Sequence, residues 1–397
     1  MRPLVLRAFT AASCIGRGLD QTLAALMEER SGLAPCRFEA ISLDTHVGEV
    51  AGIDAQVLPS EFLRFECRNN RLAELALRQD GFDEAVEEVV RRFSPRRVGV
   101  FMGTSTSGIL QTELAYRRRD PVSGSLPPDF DYGATHNSFS VANYLRRRLR
   151  LEGPAAAVSC ACASSAKVFA TARRMLDADL IDAALVGGVD SLCLTTLYGF
   201  HSLQLCSPGP CRPFDAARDG ISIGEAAAFA LVERVSGKES ADDVLLLGVG
   251  ESNDAYHMSA PHPEGHGARR AMLLALSDAG LEPDDIDYIN LHGTGTPSND
   301  RSESQAVTSV FGAVTPCSST KGATGHALGA AGALEGVIAA LALRHGFMPA
   351  GVNTADVDPT LTAHYLMTKR VAPVTRVLSN SFGFGGTNCS LILGRAG

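Results

Sequence analysis

No uninterrupted apolar run in this chain approaches the roughly 20 residues that a membrane-spanning helix needs, and no stretch is low in complexity. Basic charge is not in excess. The 36 Lys and Arg against 44 Asp and Glu leave a net charge of −8, which argues against nucleic acid as the main partner. Arginine is concentrated locally at Arg117, Arg118 and Arg119 and at Arg146, Arg147, Arg148 and Arg150, runs that read first as solvated faces. The ten cysteines are scattered, and neither Cys160/Cys162 nor Cys206/Cys211 opens a ligand pair followed by histidines at zinc spacing. They are expected to be reduced thiols in a cytoplasmic protein. Arg2 precedes a mildly apolar stretch over residues 3–12, but Arg7 interrupts it, so it is not read as a signal peptide. What remains is a globular composition, 45% hydrophobic and 20% charged over 397 residues, enough for two domains or one large duplicated one.

Periodicity predicts a strand over residues 4–9 and a helix over 19–29, then helices from Arg68 to Leu77 and from Phe82 to Phe93. Residues 97–101 read as a short buried strand running into Gly103-Thr104-Ser105-Thr106-Ser107-Gly108, either a plain turn or a loop that lets a ligand or second subunit approach. Residues 120–137 read as a surface excursion, 182–188 as a strand, and 206–225 as a long ordered loop of the kind that serves a site. Strands at 226–233 and 244–250 follow. A second series then begins: a helix at 265–280, a strand at 287–291, helices at 300–311 and 327–345, and a last strand at 390–393. Two such series imply a layered α/β fold with helices covering mostly parallel strands. The pattern permits a duplication, although no repeat is visible in the sequence.

Chemistry enters at Val158-Ser159-Cys160-Ala161-Cys162-Ala163-Ser164-Ser165-Ala166-Lys167. An apolar strand (Ala155–Val158) gives way here to a helical run with Val168, Phe169, Ala172 and Met175 on one face. Cys162 sits at the helix entrance, where unpaired N–H groups and the positive dipole end favour thiolate. Taken alone, the stretch is explained slightly better as a small buried cysteine. Two histidines change that balance. His292 ends a strand and is followed by Gly293-Thr294-Gly295-Thr296-Pro297, and His326 enters a helix within a run of Gly, Ala and Thr. The segment Asn380-Ser381-Phe382-Gly383-Phe384-Gly385-Gly386-Thr387-Asn388 is either a tight hairpin or a loop that presents backbone N–H groups to an oxyanion.

In this combination the chain resembles the β-ketoacyl-acyl-carrier-protein synthases of the type I/II class, in the thiolase superfamily. The resemblance rests on SCACASSA around Cys162, HGTGTP from His292, TKGATGHALGAAGALE with Lys321 and His326, and the ending NSFGFGGTN, with RPFDAARDG and ESNDAYHMSAP between them. It covers nearly the whole chain. It implies a thiolase-like fold of two similar βαβ-rich halves in a layered α-β-α-β-α arrangement, residues 1–240 carrying the cysteine and 241–397 both histidines and the Gly/Phe loop.

The resemblance further implies that Cys162 takes an acyl chain as a thioester, and that His292 and His326 promote decarboxylation of malonyl carrier protein and hold the enolate. The backbone N–H groups of Cys162 and Phe384 are then the oxyanion donors, with Phe384 also gating entry. Lys321 and Glu335 are the charged pair, with Asp300 and Glu303 behind the site. Thr294 and Thr296 would contact the phosphopantetheine arm, and Ser259 and Phe382 join them as substrate-binding residues. No cofactor or metal of the enzyme itself is implied, because the substrates ride on the 4'-phosphopantetheine of an acyl carrier protein. Arg64, Arg68, Arg71 and Arg212 are the expected docking arginines for that acidic partner. The chain would act as a homodimer or as a heterodimer with a chain-length-factor-like subunit. Ile221, Glu225 and Asn70 depart from the commoner family pattern. CRNNRL, GTSTSGI and VGGVDSLC resemble the aryl polyene subgroup, beside fatty-acid and polyketide synthases.

Three alternatives make different demands. A non-catalytic chain-length factor would typically lack the nucleophile. A coenzyme A thiolase would carry a second cysteine in a Cys-x-Gly setting, whereas Cys389 is followed by Ser390-Leu391. A chalcone-like type III enzyme would carry asparagine in place of His326.

Overall fold

Every residue of Ala183–Asp190 is buried, as are all but the last of Ala226–Arg234. That pattern belongs to strands covered on both faces, and the layers that cover them follow from the topology. In the computed structural model, which describes residues 2–396, ten strands form the body of one mixed sheet. They are β1 (Leu4–Ser13), β2 (Val98–Gly103), β3 (Ala155–Val158), β4 (Ala183–Asp190), β5 (Ala226–Arg234), β6 (Val244–Asn253), β7 (Tyr288–Asn290), β8 (Pro316–Ser318), β9 (Arg376–Phe382) and β10 (Thr387–Arg395). Their spatial order is β8-β7-β9-β10-β6-β1-β5-β4-β2-β3.

That order is one motif used twice. β1-β5-β4-β2-β3 and β6-β10-β9-β7-β8 are the same arrangement, with the same directions at each pairing. Within the sheet the two units join where Leu4, Val5 and Leu6 of β1 pair with Leu246, Leu245 and Val244 of β6. The duplication that the sequence permitted is therefore present in the topology.

Helix α1 (Arg68–Leu77), α2 (Phe82–Phe93) and α3 (Ser140–Arg148) cover the outer face of the first unit, and α5 (His266–Ala279) with α6 (Pro297–Phe311) covers that of the second. Between the units lie α4 (Ser164–Asp177) and α7 (Ala331–His345), each touching strands of both. The result is the expected five-layer thiolase-like stack. α7 is buried from Ala331 through Leu343, so it has no polar face to lose. Its apolarity is that of a helix packed on all sides.

Two expectations need correction. The sheet is not mostly parallel: five of the nine pairings between these strands are antiparallel, because periodicity reports strands and not their direction. β9, for example, turns straight back into β10 without a crossover helix. The helix expected from residue 327 begins at Ala331, since Leu328 takes a positive φ of 49° and the chain first makes a short 3₁₀ turn over Leu328–Ala330.

Candidate active site

Cys162 owes its position to a knotted turn. After β3 ends at Val158, Ala161 adopts φ 55°, a left-handed conformation that alanine seldom takes. The turn is tied by Ser164, whose N–H donates to Ala161 O at 3.1 Å and whose Oγ accepts from Cys160 N–H at 2.9 Å. This delivers Cys162 to the entrance of α4, buried with 7% of its surface exposed. Burial pushes its thiol up to about 12, against the Lys321 charge and the Phe384 N–H, which pull the other way. The shift toward thiolate expected at the helix entrance is thus opposed by burial, which raises the thiol.

The matching turn of the second unit, between β8 and α7, delivers His326. Its Nε2 lies 3.0 Å from Cys162 Sγ, and its Nδ1 accepts from Leu328 N–H at 3.2 Å. His292 follows β7, and its ring centroid is 5.2 Å from that of His326. Lys321 Nζ donates to His292 O at 2.5 Å and lies 3.4 Å from His292 Nδ1. Both Nδ1 atoms thus act as acceptors, which leaves the proton of each neutral ring on Nε2. Burial first, and then the Lys321 charge, hold both imidazoles well below the usual histidine range, so both are neutral. Cys162 Sγ and the two imidazoles offer donor atoms within 4.8 Å of one another, close enough for a soft divalent cation. The tautomers just derived instead present N–H groups at Nε2.

Lys321 is 1% exposed and pairs with Glu335 of α7. Burial pushes Glu335 up to about 7 despite that pairing. Asp300 and Glu303, expected behind the site, accept backbone N–H groups. Glu303 accepts the N–H groups of His292 and Gly293, both at 2.7 Å, and Asp300 accepts those of Thr294 at 3.1 Å and Phe214 at 2.8 Å. These two acids fix the loop that carries His292. Thr294 and Thr296 share a hydrogen bond at 2.9 Å, and Thr296 caps α6 by accepting from Asn299 N–H.

The glycine segment is a hairpin that turns the Phe384 N–H toward Cys162. Asn380, Ser381 and Phe382 end β9, a turn over Phe384–Gly386 follows, and β10 begins at Thr387. It is a hairpin whose tip faces the nucleophile. A Cβ on Gly383 would lie 3.1 Å from Cys160 O and 3.2 Å from Cys162 N, so the segment packs directly against the cysteine turn. We expect Gly383→Ala to push the Phe384 N–H off Sγ and slow Cys162 acylation by about tenfold or more, measured as the rate of acyl-enzyme formation.

Cys162, His292, His326, Thr294, Thr296, Ser259, Phe382 and Phe384 all line one cavity. Ile221, noted above as a departure from the family pattern, lines it too, as do Phe200, Leu205, Asp254 and Asn388, to which sequence reasoning gave no role there. The Phe200 ring lies 5.7 Å from that of Phe384. The helix that carries Phe200, Leu194–Ser202, has no clean apolar stripe to announce it.

The expected docking arginines do not form one free patch. Arg64 is exposed and pairs with Asp131, Arg71 pairs with Glu66, and half-buried Arg212 pairs with Asp219. Arg68 is a correction: it is buried, and its guanidinium meets both oxygens of Glu225, at 2.8 and 2.9 Å, as well as Glu49 and Asp54. Glu225, noted above as a departure from the family pattern, is that buried partner and also accepts the N–H groups of Val50 and Leu192. Asn70, another departure, donates to Phe65 O and Ser140 Oγ. Arg68→Ala leaves Glu225 buried without its cation and is expected to cost about 3–5 kcal/mol of stability, read by guanidinium denaturation.

A buried cysteine at the entrance of a central helix, faced by two neutral imidazoles between two matching units, is the site of a thiolase-fold condensing enzyme. The sequence matches the Beta-ketoacyl synthase, N-terminal domain, over residues 64–237 and the Beta-ketoacyl synthase, C-terminal domain, over residues 244–355. The chain belongs to the beta-ketoacyl synthase family and is an acyltransferase. It is 34% identical to 3-oxoacyl-[acyl-carrier-protein] synthase 2 of Coxiella burnetii over 99% of both chains. Among solved structures it resembles the ketosynthase ApeO in complex with its chain length factor ApeC from Xenorhabdus doucetiae. That match has a TM-score of 0.90 and 38% identity, and covers 100% of this chain and 98% of that one. A beta-ketoacyl synthase from Burkholderia phymatum matches with a TM-score of 0.88 at 30% identity, covering both chains fully.

Proposed function

We propose that this chain is the catalytic subunit of a β-ketoacyl-acyl-carrier-protein synthase, working beside a chain-length-factor-like partner in a specialised polyene or polyketide pathway. The observation that carries the catalytic reading is the contact of Cys162 Sγ with His326 Nε2 at 3.0 Å in a cavity that His292 also lines. In the first half-reaction Sγ attacks the thioester carbonyl of an acyl carrier protein. The tetrahedral oxyanion takes the N–H groups of Cys162 and Phe384, the carrier thiolate leaves, and it carries away the Sγ proton. Both imidazoles stay neutral and serve as hydrogen-bond donors.

In the second half-reaction the malonyl thioester lies in the same cavity with its carbonyl oxygen on the Nε2–H groups of His292 and His326. The C–C bond to the carboxylate breaks, carbon dioxide leaves, and the electron pair forms an enolate held by those donors. The enolate carbon attacks the acyl–Cys162 carbonyl, the C–S bond breaks, and Sγ takes a proton from solvent. The product is a β-ketoacyl chain two carbons longer. Thr294, Thr296 and Ser259 hold the phosphopantetheine arm, and Phe382 packs beside His292 with ring centroids 6.0 Å apart.

A coenzyme A thiolase fits less well, because Cys389, the cysteine nearest the C-terminus, is fully buried in the core and does not line the cavity. The partner reading draws on the ApeO complex and on β3, whose outer edge ends the sheet with all four residues only partly covered. An uncovered edge strand invites pairing with another chain. The pathway reading draws on the same relative, and a cytoplasmic location goes with it.

The experiment is purification of the chain alone and with its co-expressed partner, followed by condensation assays with aryl- and alkyl-primed carrier proteins. Elongation of either primer supports the catalytic reading, and its dependence on the partner supports the heterodimer. A folded chain that elongates neither primer, with or without partner, contradicts it.

A further inference from the structure

Asp190 ends β4 fully buried, and the reaction just described makes no use of it. Its carboxylate is met entirely by hydrogen-bond donors. Oδ1 accepts from Thr104 Oγ1 at 2.7 Å and from Ser105 N–H, Thr106 N–H and Thr106 Oγ1, each at 2.8 Å. Oδ2 accepts from Ser105 N–H at 3.0 Å and Ala330 N–H at 3.2 Å. Burial raises its carboxyl, and these donors pull it back toward the charged form.

The two halves of the site explain why a carboxylate stands there. In the second unit, the loop after β9 brings Gly383 and Phe384 against the entrance of α4, where Cys162 lies. In the first unit, the corresponding strand is β4, and its end brings Asp190 against the entrance of α7, where His326 lies. The geometry points to Asp190 as the positioning residue of the His326–Cys162 pair, one carboxylate that fastens the turn carrying His326 to the loop beneath the cysteine.

Both connections can be followed atom by atom. Toward His326, the turn 326–330 offers Leu328 N–H to the imidazole Nδ1 and Ala330 N–H to Asp190. Toward Cys162, Ser105 donates its N–H to Asp190 and its Oγ to Ala161 O at 3.4 Å, the residue whose left-handed φ delivers the cysteine. There is no slack between them. A Cβ on Gly188 would lie 2.5 Å from Ser165 Cβ and 2.9 Å from Ala330 Cα, and one on Gly329 would lie 2.8 Å from Asp190 Oδ2. An amide in place of the carboxylate would aim its NH₂ at N–H groups. The ionised acid is the group that accepts from every side, and its charge also opposes the Cys162 thiolate.

The test compares Asp190→Asn, which removes the charge, with Gly329→Ala, which crowds the turn and keeps it. Condensation kcat and KM are measured with acyl and malonyl carrier proteins, and the pH dependence of Cys162 alkylation by iodoacetamide is followed by intact mass. Both variants should lose about tenfold or more in kcat with KM within about two-fold of the parent. The alkylation midpoint should fall in Asp190→Asn and not in Gly329→Ala. His326, His292, Lys321 and Glu335, the other titratable groups around the thiol, are present in both variants. A kcat in Gly329→Ala within about two-fold of the parent, or an unmoved midpoint in folded Asp190→Asn, overturns the inference. If Asp190→Asn does not fold, the kcat of Gly329→Ala decides alone. The kcat arm rests on the proposed condensation activity. The alkylation arm does not, so failure of one is distinguishable from failure of the other.

Discussion

Alanine at His292 is expected to reduce malonyl decarboxylation by about 10²–10³-fold while Cys162 still accepts its acyl group at close to the parent rate. Alanine at His326 should impair both steps. The difference follows from the geometry. His326 Nε2 is 3.0 Å from Sγ, so its N–H reaches the cysteine as well as the place proposed above for the enolate oxygen. His292 is tied to Lys321 through its carbonyl oxygen and Nδ1 and has no hydrogen bond to Sγ in this structure. Acyl-enzyme formation by intact mass and carbon dioxide release from malonyl carrier protein separate the two steps. Equal loss of acylation in both variants would contradict the division of labour.

Lys321→Met should be the more damaging change to the molecule as a whole. It removes the cation that pairs with buried Glu335 and the donor that holds His292. Stripping one partner from a buried pair costs about 3–5 kcal/mol, whereas replacing both with apolar groups of similar volume is often neutral. The double variant Lys321→Met/Glu335→Leu is therefore expected to recover much of the stability. It should not recover decarboxylation, because nothing then directs the His292 tautomer. Stability is read by guanidinium denaturation and turnover by carbon dioxide release. Recovery of both together would mean that the pair serves the fold and not the imidazole.

The strands and helices with strong periodicity were legible in the sequence, including Phe82–Phe93 and the entrance of α4 at Cys162. Of the residues that the cavity brings together, His292 and His326 stood out through the Gly and Thr around them, and Cys162 through the switch from strand to helix. Four features were not legible. The duplication is carried by strand order, which leaves no trace when side chains diverge between β1 and β6. Arg68 looked like a surface charge because its partner Glu225 is 157 residues away, and an ion pair across that span has no local signature. The burial that raises the Cys162 thiol was not legible, because the helix entrance is visible in sequence and the desolvation around it is not. Asp190 fell in the same class: VGGVDSLC suggested a subgroup, and only the fold brings Thr104, Ser105, Thr106 and Ala330 to one carboxylate.

The central claim is that Cys162 carries the growing chain as a thioester and that His292 and His326 discharge it onto a malonyl unit. The most direct test is intact-protein mass spectrometry after mixing the enzyme with acyl carrier proteins bearing a panel of primers, followed by malonyl carrier protein, with Cys162→Ala alongside. The account predicts a mass gain of one acyl group on the parent, none on Cys162→Ala, and loss of that mass on malonyl addition with release of a chain two carbons longer. Acylation retained in Cys162→Ala, or a folded parent acylated by no primer, would contradict it.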